Sequence, residues 1–166
     1  SVRKPFIDKW TQISTFQPDL FKKAQHNYIQ ITHYEDSVQR IKTEFDLDAD
    51  DGTHIQGLQD TIWSTSVQHG PRTIVFKNAF KTLGVPDTKT LSEVSDTDII
   101  SAIYDERGRI ITQTDVDNFP SRNTSADIGK LFHFITTVTK FPEQQASLEN
   151  RFISEKKDAL SLTSIG

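Results

Sequence analysis

A carboxylate, an indole, amides and an imidazole crowd into one short stretch, Leu58-Gln59-Asp60-Thr61-Ile62-Trp63-Ser64-Thr65-Ser66-Val67-Gln68-His69-Gly70-Pro71. A helix built only for packing would not need Gln59, Asp60, Gln68 and His69 around Trp63. That mixture suits a polar ring ligand such as a sugar. It equally suits a buried polar network that fixes helix packing, because buried polar groups are normally paired with each other. Glycoside hydrolysis needs two carboxyl groups, one kept protonated by an apolar setting and one ionised. Asp60, beside Trp63, is the first candidate in the chain. Glu35, which follows Tyr34 at a helix junction, is the second. Each has a plainer alternative as a helix cap or ion-pair partner. Asp36, Asp105, Glu106 and Glu155 are further carboxylates, and Asp105-Glu106-Arg107 reads as an ion pair at a helix end, with Tyr104 able to face a groove.

Asp46-Leu47-Asp48-Ala49-Asp50-Asp51-Gly52 resembles a calcium loop, with Asp46, Asp48 and Asp50 at positions one, three and five. The pattern then fails, since the glycine comes one place late and the twelfth position is Gly57. The alternative is a solvated acidic loop ahead of a helix N-terminus, where negative charge is favourable. The five histidines form no HExxH or tight pair, so a zinc centre is not expected. P-loop, GxGxxG and GxSxG motifs are missing, and no cofactor is expected.

The elements that must position these residues are helical almost throughout. Phe6, Trp10 and Ile13 open the pattern, and a second helix is expected from Pro18 to about Thr32. Val38, Ile41 and Phe45 mark a third. The polar-cored helix runs from about Ile55 to His69 and stops at Gly70-Pro71. Val75 to Leu83 form a fifth, ended by Gly84 and Pro86. Ser95-Asp96-Thr97-Asp98 caps a sixth, which carries Ile99, Ile100, Ile103 and Tyr104 and closes at Arg107-Gly108. A short strand is expected over Arg109-Ile110-Ile111-Thr112. Ile128 to Val138 and a last helix from Pro142 complete an all-α domain of about eight helices spanning residues 1–166.

Composition sets outer bounds. With 166 residues, 34% hydrophobic and 25% charged, the chain can bury one core. Its net charge of −4 and lack of a basic run argue against nucleic acid as a partner. No apolar run approaches membrane-spanning length. The absence of cysteine excludes disulfides and thiolate metal sites. A chain without Met that opens on Ser1 is expected to be a piece of a longer product.

Gln25-His26-Asn27-Tyr28-Ile29, Thr32-His33-Tyr34, the Leu58–Gly70 block, Ala102-Ile103-Tyr104-Asp105-Glu106-Arg107-Gly108, and Asn150-Arg151-Phe152 with Glu155 and Asp158-Ala159-Leu160 give the chain a resemblance to a known family. It resembles the C-terminal lysozyme-like domain of VgrG-type spike proteins and related phage-derived enzymes, which are similar to chitosanases. The resemblance implies a lysozyme-like helical fold and cleavage of peptidoglycan glycan strands. It also implies export by a type VI secretion system into a rival's periplasm, and a cognate immunity protein that plugs the cleft. Under it, Trp63 or Tyr104 would stack on a sugar, and Gln25, Tyr28, Gln68 and His69 would line the groove. The family's early Tyr-Gly-x-Tyr-Gln segment, which accompanies its general-acid Glu, has no counterpart here. Three accounts stand: the acid lies in an N-terminal remainder of the same enzyme, the chain uses Asp60 or Glu35, or it is a non-catalytic wall-binding or spike-accessory module. The first is preferred.

Overall fold

The interior is built where apolar stripes of five helices meet. The computed structural model describes residues 18–111 and 140–165. The helices are α1 (Pro18–Ile29), α2 (Glu35–Phe45), α3 (Gln56–His69), α4 (Ile74–Thr82), α5 (Asp96–Arg109) and α6 (Pro142–Ser161). A single π-helical turn, Gln30–Tyr34, joins α1 to α2, and a 3-10 turn, Leu91–Glu93, precedes α5. No strand occurs among the described residues, so the all-α expectation holds. Two expected helices, over Phe6 to Ile13 and over Ile128 to Val138, lie outside them. No helix of the described residues is long and apolar enough to cross a membrane.

Ile41 and Phe45 of α2, Leu58 and Ile62 of α3, Val75, Phe76 and Phe80 of α4, Ile99, Ile100 and Ile103 of α5, and Phe152 of α6 form one buried cluster. Phe45 meets Phe80 edge-on at 4.9 Å, the offset geometry that ring quadrupoles prefer.

Local signals start and stop these elements. Ser95 Oγ accepts from Asp98 N at the head of α5, as its cap pattern predicts. Thr73 does the same for α4. Pro142 occupies the first turn of α6, where its missing N–H costs nothing. Gly70, with φ of 91°, ends α3.

The head of α3 is capped from far away. Ile55 offers no side-chain cap. Instead the N–H groups of Gln56 and Gly57 donate to the carbonyls of Ser164 and Leu162, at 2.8 and 3.1 Å. These bonds satisfy two of the donors that a helix N-terminus leaves open. Gly57 permits the approach, since a Cβ there would overlap the Ala159 carbonyl oxygen and lie 2.8 Å from its carbon. The chain after α6 is thereby fastened to the start of α3.

The expected strand at Arg109–Thr112 is corrected. α5 continues through Gly108 to Arg109. Ile110 N then donates to Glu106 O, and Ile111 N to Gly108 O, in a helix-terminating turn. Ile110 and Ile111 are both buried, whereas a half-buried strand would turn adjacent side chains to opposite faces. Thr112 lies outside the described residues.

Candidate functional site

Gln56, Gln59, Asp60 and Trp63 recur along one face of α3 and line an open groove of about 580 Å³. The π-helical turn supplies Gln30 and Tyr34 to the same groove, α1 supplies His26, and the acidic loop supplies Asp50. A π turn widens the helix by one residue and commonly marks places where side chains must be re-aimed. Asp60 also lines a smaller cavity of about 190 Å³ with Ser64, Tyr104, Glu155 and Asp158. The two cavities therefore meet at the Asp60 side chain.

Trp63 is half-buried and is not an isolated platform. His26 stacks on it at 5.1 Å with an interplanar angle of 22°, and Tyr34 packs at 5.6 Å. Tyr34 OH donates to Asp50 Oδ1 at 2.6 Å, and Gln59 Nε2 donates to Ala49 O and to the same Asp50 oxygen. Burial, then the bond to Asp50, raises the Tyr34 phenol above its ordinary value, so it stays a neutral donor. Asp60 is exposed, and Gln56 Nε2 donates to its Oδ1 at 2.8 Å.

Behind the smaller cavity stands a network that ties α3, α5 and α6 together. Glu155 Oε2 accepts from Ser64 Oγ at 2.8 Å and from Tyr104 OH at 3.3 Å. Its Oε1 accepts from Arg151 Nε at 2.7 Å. Arg107 Nη1 lies 3.6 Å from Glu155 Oε2. Burial alone would raise the Glu155 carboxyl, but the bonds from Arg151 and Ser64 and the charge of Arg107 outweigh it and hold the group below the usual range. Glu155 is therefore ionised at neutral pH.

The buried hydroxyls of α3 turn back onto its own helix. Thr61 Oγ1 donates to Gly57 O and Thr65 Oγ1 to Thr61 O, both at 2.7 Å. Ser66 Oγ sits 2.6 Å from Ile62 O and 2.7 Å from Ser37 Oγ, which in turn donates to Pro71 O. The polar load of this helix is thus divided: the groove face carries Gln56, Gln59, Asp60 and Trp63, while Thr61, Thr65 and Ser66 serve packing.

The other expected site residues fall elsewhere. Glu35 is exposed on the first turn of α2 and lines neither cavity. Gln25 and Tyr28 are exposed on α1, and Gln68 is half-exposed on α3; none lines either cavity. His69 packs against Phe152 at 6.3 Å, on the inner side of α3. Asp46 caps α2 in the left-handed conformation. Asp48 Oδ2 takes Lys42 Nζ at 2.6 Å, and its Oδ1 takes the Asp50 amide. With Asp50 committed to Tyr34 and Gln59, the three carboxylates serve separate partners, and no group of metal-ligating residues forms among the described residues. Asp105 pairs with Lys156, and Glu106 with Arg109.

His69 makes a pH-dependent contribution to stability. Burial, then the charges of Arg107 and Arg151, push its imidazole down to about 3. The unfolded chain takes up this proton below pH 6.5, the ordinary value, and the folded chain does not until about 3. Between those limits the unfolded state binds more protons, so acidification destabilises the fold, by up to about 1.4 kcal/mol per pH unit. Urea titrations between pH 6.5 and 5 will show this slope, and His69→Gln will flatten it. An unchanged slope in that variant would assign the proton uptake to another group.

The described residues thus form a helical fold in which a polar, aromatic groove meets a pocket lined by carboxylates. Residues 1–130 match the family described as type VI secretion system spike protein VgrG3-like, C-terminal, and the chain belongs to that family. It is similar to the type VI secretion system spike protein VgrG3 of Vibrio cholerae serotype O1, with 27% identity over 159 residues. That alignment covers 96% of this chain and 12% of the relative's length.

Proposed function

We propose that this domain is carried by a type VI secretion spike and hydrolyses the glycan strands of peptidoglycan in the periplasm of a target cell. The observation that carries the reading is the position of Asp60, which opens on both the aromatic, amide-lined groove and the pocket holding Glu155. A glycan strand lies in the groove. Gln30, Gln56 and Gln59 hydrogen-bond its hydroxyl and N-acetyl groups, beside the ring stack of Trp63, His26 and Tyr34. Asp60 and Glu155 are the two carboxyl groups that cleavage of a β-1,4 bond requires. Glu155, held ionised, takes a proton from the attacking water as its oxygen bonds to the anomeric carbon, and Asp60 gives a proton to the leaving oxygen as the glycosidic bond breaks. A cognate immunity protein would close the same groove.

A second reading rests on a specific observation. The carboxyl groups with displaced acidity among the described residues, Asp48, Asp51, Glu93 and Glu155, are all displaced downward. A general acid needs the opposite displacement. In this reading the chain is a wall-binding lobe, and the acid comes from another segment of the same product. Incubation of the chain with purified sacculi separates the two, using mass spectrometry of soluble fragments and co-sedimentation. Reducing-end muropeptides support hydrolysis by these residues. Co-sedimentation without fragments supports the binding lobe. Neither fragments nor co-sedimentation defeats both.

A further inference from the structure

Arg107 is wholly buried, its side chain 0% exposed. Its guanidinium carbon lies 4.3 Å from the ring centre of Phe152 and 5.0 Å from that of Tyr104. Nη1 donates to Ser64 Oγ at 3.1 Å and to Thr65 Oγ1 at 3.4 Å. Neither Nε nor Nη2 meets an acceptor among the described residues. Burying a guanidinium with open donors is costly, and an apolar side chain of similar volume would hold helices together at least as well. Among the described residues, stability alone therefore does not account for a cation here.

What the cation does have is one directed polar edge. Nη1 reaches Ser64 Oγ, Ser64 Oγ donates to Glu155 Oε2, and Nη1 stands 3.6 Å from that same oxygen. Through Nη1 the guanidinium is thus linked to Ser64 on α3 and to Glu155 on α6. We propose that Arg107 is a positioning residue: through Ser64 and directly at Oε2 it fixes the Glu155 carboxylate in one orientation on the wall of the pocket shared with Asp60. Tyr104, which carries one of the rings, adds its hydroxyl to the same oxygen. Oε1 accepts from the half-exposed Arg151. The consequence for glycan cleavage rests on the proposed function. The geometry of Glu155 does not.

Carboxyl-carbon NMR of Glu155, followed through an acid titration of the folded domain, tests the assignment without requiring activity. Among the described residues, the groups facing Glu155 are Asp60 on α3, Tyr104 and Arg107 on α5, and Arg151 and Asp158 on α6. Arg107→Met is expected to raise the Glu155 midpoint by about one pH unit, a tenfold change in proton affinity. Arg107→Lys should give a smaller rise, because the charge remains but the fork is lost. Ser64→Ala, which removes a direct bond to Glu155, should also raise the midpoint, and Arg107→Lys keeps the test open should Arg107→Met fail to fold. In sacculus digestion, Arg107→Lys and Ser64→Ala should lower kcat about tenfold with KM unchanged. A Glu155 midpoint unmoved in Arg107→Lys would overturn the assignment and leave Arg107 as a packing residue, whatever Ser64→Ala does, because Ser64 bonds Glu155 directly. Shifted midpoints in a domain that neither binds nor cuts sacculi would uphold the positioning role and defeat the proposed function.

Discussion

Asp60→Asn is expected to cut the release of reducing-end muropeptides by about 10²–10⁴-fold, the range that a positioned acid or base contributes. The fold should scarcely register the change. Asp60 is exposed, and its hydrogen-bond partner is Gln56, one helical turn away. A surface pair of that kind contributes about 0.2–0.5 kcal/mol, and asparagine preserves an acceptor for Gln56. Binding to sacculi should persist, because Gln30, Gln56, Gln59 and Trp63 are untouched. The informative quantity is the ratio of digestion to co-sedimentation, measured on one preparation. Equal digestion by the variant and the parent would remove Asp60 from the chemistry.

Gly57→Ala is expected to act in the opposite sense, on the fold first and on the site through it. The new methyl group would overlap the Ala159 carbonyl, which is backbone and cannot swing aside as a flexible side chain would. α6 must move away from α3, and the bonds from Gln56 N and Gly57 N to Ser164 and Leu162 stretch with it. Overpacking of this kind costs about 1–3 kcal/mol. Because Ser64 is on α3 and Glu155 on α6, the same displacement pulls their 2.8 Å bond apart. Urea unfolding will show the loss of stability. Gly108→Ala is the matching control: a Cβ there meets nothing within 4 Å, and alanine in a helix is favoured by about 0.5–1 kcal/mol. Gly57→Ala as stable as the parent would mean that α6 can shift freely against α3.

How much of this was legible in the chain depends on how local each signal is. The cap at Ser95, the stop at Gly70 and the start at Pro142 each depend on a few adjacent residues, and each lies where the sequence puts it. The groove face of α3 was half legible. Asp60 and Trp63 stand out by type, but Gln56 and Gln59 gain meaning only when Gln30, Tyr34 and His26 arrive opposite them. The resemblance implied His69 as a groove residue, and in the structure it packs against Phe152. The pair Ile110-Ile111 looked like a strand because β-branched residues favour one, and tertiary burial of both overrode that preference. The role of Arg107 was the least visible. Its partners Ser64 and Glu155 are 91 residues apart, and charge at a helix end gives no sign of being enclosed. The one local hint was the Arg151/Glu155 spacing of four, which sets a hydrogen-bonded pair on one face of α6.

The fastening of Leu162 and Ser164 onto the head of α3 gives the pocket a temporal property. One of its walls is contributed by a helix that lies near the far end of the described chain. Closing so long a loop costs entropy that only the finished contact repays. A ribosome that has delivered α3, α4 and α5 has not yet delivered Phe152 of the core, Glu155 of the pocket or the carbonyls that cap α3. The cavity that Asp60 shares with Glu155 is thus a late product of folding, and by the same route an early casualty of local opening. Whatever chemistry the pocket performs must wait for α6 to dock against α3.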